Sequence, residues 1–226
     1  MAASDTSFHT GHRERLRQKF LDGRLADYEL LELLLGYAIP RRDVRPLARM
    51  LIAQFGGVGA VLAAPVDKLT QIPGMGQNTA VFIKSINQLM IIGYHDDMKS
   101  QSIFHDRRTL ANYCKAQLMG KTIEEVHTLY LDVDYRLLSD EVHTRGTRDE
   151  SSVYPREILK RALVLNARNV VMVHNHPTIG RSFSQDDIKI TTQVQELLNS
   201  VGIELYDHLV VSGTIVYSAR DLQLLK

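Results

Sequence analysis

Near residue 100 the spacing of apolar side chains changes period, and that change rules out a fold of one secondary-structure class. Before it, apolar residues recur three and four apart in RERLRQKFL, YELLELLLGYAI, RPLARMLIAQF and VDKLTQI, the spacing of helices that bury one face. Asp27 predicts an N-cap, with Glu29 and Glu32 in the early turns, and Pro40 predicts the stop. Gly56-Gly57 stops the next helix, and a long one opens after the glycine-rich turn in IPGMGQNTAVFIKSINQLMIIG. After it, VHTLYLDVD and RLLSDEVHT read as a hairpin turning at Asp134-Tyr135, Val170 to Val173 as a buried strand, and IELYDHLVVS with TIVYS as another strand pair. Pro155 suits the first turn of a helix in REILKRALVLNA, and Asp187 to Ser200 reads as an amphipathic helix. The polar stretch YHDDMKSQS, Tyr94 to Ser102, separates the two regimes and predicts an interdomain linker. The expectation is a helical domain over residues 1–98 followed by an α+β domain over 102–226.

Composition removes several classes of function. A single cysteine, Cys114, excludes an intrachain disulfide framework and a thiolate metal site, and fits a reducing compartment. The formal net charge is +1, about +2 in the first hundred residues and about −1 in the rest, which excludes a strongly basic nucleic-acid arm. The N-terminus lacks the apolar core of a signal peptide, and no apolar run approaches roughly 18 residues, so a soluble cytoplasmic protein without membrane contact is expected. No Ser-His-Asp triad is legible, and the GxGxxG-like fragments do not follow a strand, which discounts nucleotide binding by that motif. The sequence leaves oligomeric state open.

The chemistry concentrates in VVMVHNHPTIGRSFSQDDIK. Alternate strand residues share a face, so His174 and His176 point the same way at a strand end. Asp187 follows at the start of the next helix, with Ile190 or Thr191, Val194 and Leu198 behind it on the same face, and so points toward the sheet. An unpaired carboxylate there is costly. Ser184 to Asp187 also reads as a capping box, and the two readings are compatible. Two histidines and one carboxylate form a set typical of catalytic zinc, although non-haem iron uses the same ligand types. A hydrolase built on it needs a general base. Asp140, Glu141, Glu150 and Glu157 are the candidates; alternation puts Asp140 and Glu141 on opposite faces and does not choose between them. His208 in DHLVVSG could stand near the metal but reads first as a core histidine bonded to Asp207 or to backbone, and nothing raises His127 or His143 above background.

His174-Asn175-His176-Pro177 with Ser184 and Asp187 resembles the JAMM motif of the MPN/JAB metallohydrolase domain. GHRERLRQKFL, DYELLELLLGYAIPRRDVRPLA, the IPGMG turn, YPREILKRAL, VHNHP and DHLVVSG together resemble the RadC family, which carries a DNA-repair name, over essentially all residues from Gly11 onward. The resemblance implies an MPN/JAB α/β sandwich of cytidine-deaminase-like architecture. It also implies one zinc per chain held by His174, His176 and Asp187, with Glu141 as base and proton shuttle and Ser184 as oxyanion donor. The implied reaction is hydrolysis of an amide or isopeptide bond in a protein or peptide. The alternatives are a metal-dependent nuclease or repair factor and a non-catalytic binding module. Between Pro177 and Ser184 the family is usually rich in Ser, Gly, Asp and Pro, whereas this chain has TIGRSF at unchanged length.

LTQIPGMGQNTAVFIKSI resembles a helix-hairpin-helix, which implies a DNA partner held through phosphates at Gly74 and Gly76, with Thr79 or Lys84 adding contacts. The same hairpin also serves helix packing or protein contacts. Arg41, Arg42 and Arg45 could assist DNA contact, and a solvated helix start explains them equally well. The basic run His12 to Lys19 reads as an exposed helix face.

Overall fold

A computed structural model describes residues 7–104, 106–146 and 155–225. Six helices come first: α1 (Ser7–Leu21), α2 (Asp27–Ala38), α3 (Arg45–Phe55), α4 (Val58–Ala63), α5 (Val66–Thr70) and α6 (Gln77–Ser100). Their packed side chains include Leu31, Leu35, Leu47, Leu51, Leu69 and Ile83. Fully burying one such leucine is worth about 1.5–3 kcal/mol. Asp27 falls inside the first turn of α2 rather than capping it, and Glu29 supplies the reciprocal bond by accepting from Ala26 N at 3.0 Å. Gly56, at φ 90°, ends α3 in the left-handed conformation that glycine adopts most easily. Tyr94 to Ser100, expected as linker, forms the last turns of α6. Met98 is its buried position there, seven residues after buried Ile91, so a thin apolar stripe continues into a largely polar segment. The chain divides into two compact units inside this helix, after Asn87.

The second unit is built on a five-stranded sheet ordered β2-β1-β3-β4-β5, with β1 (Glu124–Leu131), β2 (Leu137–Gly146), β3 (Asn169–Asn175), β4 (Glu204–Ser212) and β5 (Ile215–Ser218). Only β3 and β4 run parallel, which requires a crossover, and α9 (Gln185–Asn199) supplies it. The β1–β2 hairpin turns as expected: Tyr135 takes φ 60°, and Asp132 Oδ1 accepts from Asp134 N and Arg136 N. Helix α8 (Pro155–Val164) starts at its proline and packs with α9 on one face through Ile158, Ala162, Val194 and Leu198 against Tyr130, Val170 and Met172.

Helix α7 (Arg107–Leu118) is an element the sequence reading passed over. Its signals were present: Asp106 caps it through Arg108 N and Thr109 N, and Leu110, Tyr113, Cys114 and Leu118 are its buried stripe. It covers the other face, where Tyr113 donates to Asp140. The result is an α+β sandwich with β3 buried along its whole length. Among the described residues, no helix is long and apolar enough to cross a membrane.

Candidate metal centre at the end of strand β3

Cross-strand register fixes which side chains share a face. Val126 pairs with His174, and Thr128 pairs with both Met172 and Glu141. Met172 pairs with His208 on β4. Glu141, Thr128, Met172 and His208 therefore form one row across the face that carries His174, with the α8–α9 layer above it. Asp140 belongs to the opposite face, held by Tyr113 and by His127 Nδ1 at 3.0 Å. Glu157 lies in the first turn of α8, half exposed beside Arg156, and Glu150 falls outside the described residues.

Three donors converge where β3 ends and α9 begins. His174 Nε2 and His176 Nε2 are 3.1 Å apart, His174 Nε2 is 3.4 Å from Asp187 Oδ1, and His176 Nε2 is 3.4 Å from Asp187 Oδ2. The capping box is present as well: Ser184 Oγ accepts from Asp187 N at 3.1 Å, and Asp187 Oδ2 accepts from Ser184 N at 2.6 Å. Capping and convergence are thus one arrangement, in which the cap fixes the carboxylate that the histidines approach.

The protons around this triad can be placed by elimination. Thr191 Oγ has one proton, and it is donated to the Asp187 carbonyl. Thr191 Oγ must then accept from His208 Nδ1, 2.6 Å away. Neutral His208 is left with a lone pair on Nε2, which accepts from His174 Nδ1 at 2.9 Å. His174 Nε2 is therefore the unprotonated nitrogen. His176 Nδ1 faces the Arg181 carbonyl at 3.3 Å, a group that only accepts, so in neutral His176 the unprotonated nitrogen is again Nε2. Two imidazole lone pairs and a carboxylate thus face one another across 3.1–3.4 Å with no donor between them. A proton or a cation reconciles them.

Tetrahedral zinc with bonds of about 2.0–2.1 Å separates neighbouring donors by about 3.3–3.4 Å, close to the edges found here. The buried His174–His208–Thr191 chain is the kind of outer support that orients metal-ligating histidines. The donor set fits zinc.

Electrostatics agree with this arrangement. When a proton rather than a cation fills the triad, burial opposes ionisation of Asp187, but the hydrogen bonds it then shares with His174 and His176 outweigh it and hold the carboxyl well below the usual range. The hydrogen bond with Asp187 raises His176 against its burial, and Glu124 adds to that effect. Burial, reinforced by the neighbouring His174, depresses His208 and keeps it neutral.

Glu141, assigned as base by resemblance, shares the ligand face but sits two strands from β3. Two strand spacings and one residue pair along the strand separate it from His174 by roughly 12 Å between Cα atoms. Its carboxylate accepts from Arg161 Nε at 2.6 Å and from Ser139 Oγ at 3.1 Å. Glu124 is the carboxylate the sequence reading missed. It lies two residues before Val126 on β1, as His176 lies two after His174 on β3, so alternation sets the two opposite each other about 5 Å apart between Cα atoms. Among the described residues the Glu124 carboxylate makes no hydrogen bond or ion pair, and its charge acts on His176. Thr191 was noted only as a face position, and His208 bonds His174 and Thr191 rather than the Asp207 side chain, which accepts from the His208 backbone N–H.

The loop after His176 is pinned to β4: Ser212 Oγ donates to Thr178 O and accepts from Arg181 N. In the first unit, Gly74 takes φ 92° in the turn between α5 and α6, and open space surrounds Gly76. Thr79 is buried, and Lys84 Nζ donates to Leu62 O and Ala63 O at the end of α4, so these two expected DNA contacts are engaged inward.

A sheet flanked by helices, with His-x-His at a strand end and an aspartate opening the next helix, is the arrangement of a JAB-type domain with a candidate metal site. Comparison with known proteins agrees. Residues 104–224 match a family described as RadC-like JAB domain, and residues 9–81 match one described as UPF0758 N-terminal. A UPF0758 protein of Ruegeria pomeroyi is 37% identical over 95% of this chain and 97% of its own length. Another, from Fusobacterium nucleatum, is 36% identical over 92% of this chain and 94% of its own. The chain belongs to the RadC-like UPF0758 family.

Proposed function

We propose that the protein is a zinc-dependent hydrolase acting on amide or isopeptide bonds in a protein or peptide. The observation that carries this reading is the convergence of three lone-pair donors whose outer hydrogen bonds leave both Nε2 atoms unprotonated. His174, His176 and Asp187 would hold the ion, and zinc bound there supplies Lewis acidity toward a carbonyl and toward a water molecule. Glu124, rather than Glu141, takes the proton from the attacking water and returns it to the leaving nitrogen. Its position opposite His176 and its uncommitted carboxylate support that role. Ser184 Oγ accepts from Asp187 N and retains its own proton, which it can donate to the oxyanion developing at the attacked carbonyl. Glu141 holds Arg161 and braces β2 against α8.

The test compares Glu124→Gln with Glu141→Gln across a panel of peptide and isopeptide substrates, with bound zinc measured in each. Loss of a general base costs about 10²–10⁴-fold in turnover, expected for Glu124→Gln at unchanged zinc content. The reverse ranking would return the role to Glu141. Equal activity of parent and both variants would remove the proton-shuttle account.

A further inference from the structure

The first compact unit contains a cleft that the metal centre does not use. It lies between α1 and the α2–α3 region and is open to solvent at its mouth. Its lining combines three kinds of group. Tyr37 offers a ring that is 64% exposed. Arg42 carries a charge with no carboxylate partner among the described residues, and Arg17 lies nearby, in a surface pair with Glu14. Glu32 lies on the cleft wall, only 4% exposed, with Oε1 bonded to His12 Nε2 at 2.6 Å. Among the described residues its Oε2 has no hydrogen-bond partner.

These groups match a ligand that has an aromatic ring carrying N–H donors at one end and an anion at the other. We infer that the cleft between α1 and α2 binds a nucleotide. In this site Tyr37 stacks the base, Glu32 accepts from a base N–H, and Arg42 with Arg17 takes the phosphate. Aromatic side chains stack any base, and guanidinium pairs well with phosphate. Two local features support the anion end. Arg13 donates to Gly36 O, Ile39 O and Arg42 O, which spends its donors on holding the loop, while Arg42 itself is exposed. The Arg42 guanidinium also lies over the Gly74 turn, where a Cβ would come within 3.0 Å of Nη2, so this turn closes one side of the cation. Asp43, the other acid in the lining, is occupied by accepting from Arg45 N at 3.0 Å.

The nucleotide could be free or part of a single strand, and titration calorimetry on the full chain separates the sources. The four 5′-mononucleotides are titrated first, then a short single-stranded oligonucleotide, with ribose 5-phosphate as the base-free control. Tyr37→Ala should weaken binding about 5- to 150-fold, the range of one lost stacking contact, and Arg42→Gln should weaken it with a reduced salt dependence. Both positions are exposed, so thermal melts should match the parent. Binding of mononucleotides with both losses establishes a free-nucleotide site. Binding of the oligonucleotide alone, with the same losses, establishes a strand site. No binding of either, ribose 5-phosphate binding as tightly as the nucleotides, or affinities unmoved by both substitutions would overturn the inference.

Discussion

Replacing His208 by leucine probes the metal centre without touching a ligand. The substitution removes the acceptor 2.9 Å from His174 Nδ1 in a setting where His174 is 2% exposed and no water can readily substitute. The Nδ1–H is then stranded, at a cost of about 1–3 kcal/mol. Neutral His174 relieves that cost by moving its proton to Nε2, where Asp187 Oδ1 can accept it at 3.4 Å. Zinc must then displace a proton from His174 Nε2, a nitrogen that the parent leaves unprotonated. Loss of such an outer partner typically weakens metal binding 10- to 100-fold, or about 1.4–2.7 kcal/mol, which agrees with the stranding cost. His208→Gln keeps an acceptor carbonyl and should fall between the parent and His208→Leu. The assay is competition against a chromophoric chelator at fixed pH, with circular dichroism showing that each variant is folded. Equal zinc affinity in the parent and a folded His208→Leu would refute the proton chain from Thr191 through His208 to His174.

The same geometry fixes how His176 and Ser184 respond to pH and to substitution. His176 is raised above its ordinary value near 6.5, chiefly by Asp187, so in metal-free protein its proton persists to higher pH. Stabilisation from that pair is fully present below about pH 6.5 and is lost as pH rises through the folded value, so the stability gap between the metal-free parent and His176→Gln should narrow on going alkaline in denaturant melts. Zinc competes with the same proton, and its apparent affinity should begin to fall on acidification while the pH is still above 6.5, read by chelator competition from pH 8 to 6. Ser184→Ala deletes one half of the capping box and should cost about 0.5–2 kcal/mol in denaturant unfolding, whereas Ser184→Thr should restore most of it. Any hydrolytic turnover should fall about 10²–10³-fold in the alanine variant at unchanged zinc content.

Local patterns were the most legible part of the sequence. His174, His176, Ser184 and Asp187 lie within 14 residues of one another across one strand end, loop and helix start, so alternation and helical spacing were enough to bring them together. Pro155, Gly56 and the Asp134-Tyr135 turn marked real boundaries because each reflects a backbone constraint at a single position. Register was not legible. Choosing Glu124 over Glu141 depends on how β1 and β2 slide against β3, and a register shift between Val126 and His127 makes the count from sequence unreliable. The Thr191–His208 contact joins residues from a helix and the following strand, and spacing within either element does not predict it. A stretch that looked like linker proved helical as the continuation of α6, with Met98 extending the buried edge that Ile91 begins one heptad earlier. Thr79 and Lys84 looked available for DNA because exposure is set by neighbours distant in sequence, such as the end of α4 that holds Lys84.

The central claim is that one cation completes the His174–His176–Asp187 triangle. Elemental mass spectrometry on protein purified without chelator or histidine tag, beside His174→Ala and Asp187→Ala, tests it most directly. The account predicts close to one zinc per chain in the parent and loss of it in both variants. A folded parent that takes up neither zinc nor iron when they are offered would contradict it, leaving the convergence of the three donors to a shared proton and Asp187 to its role in the capping box.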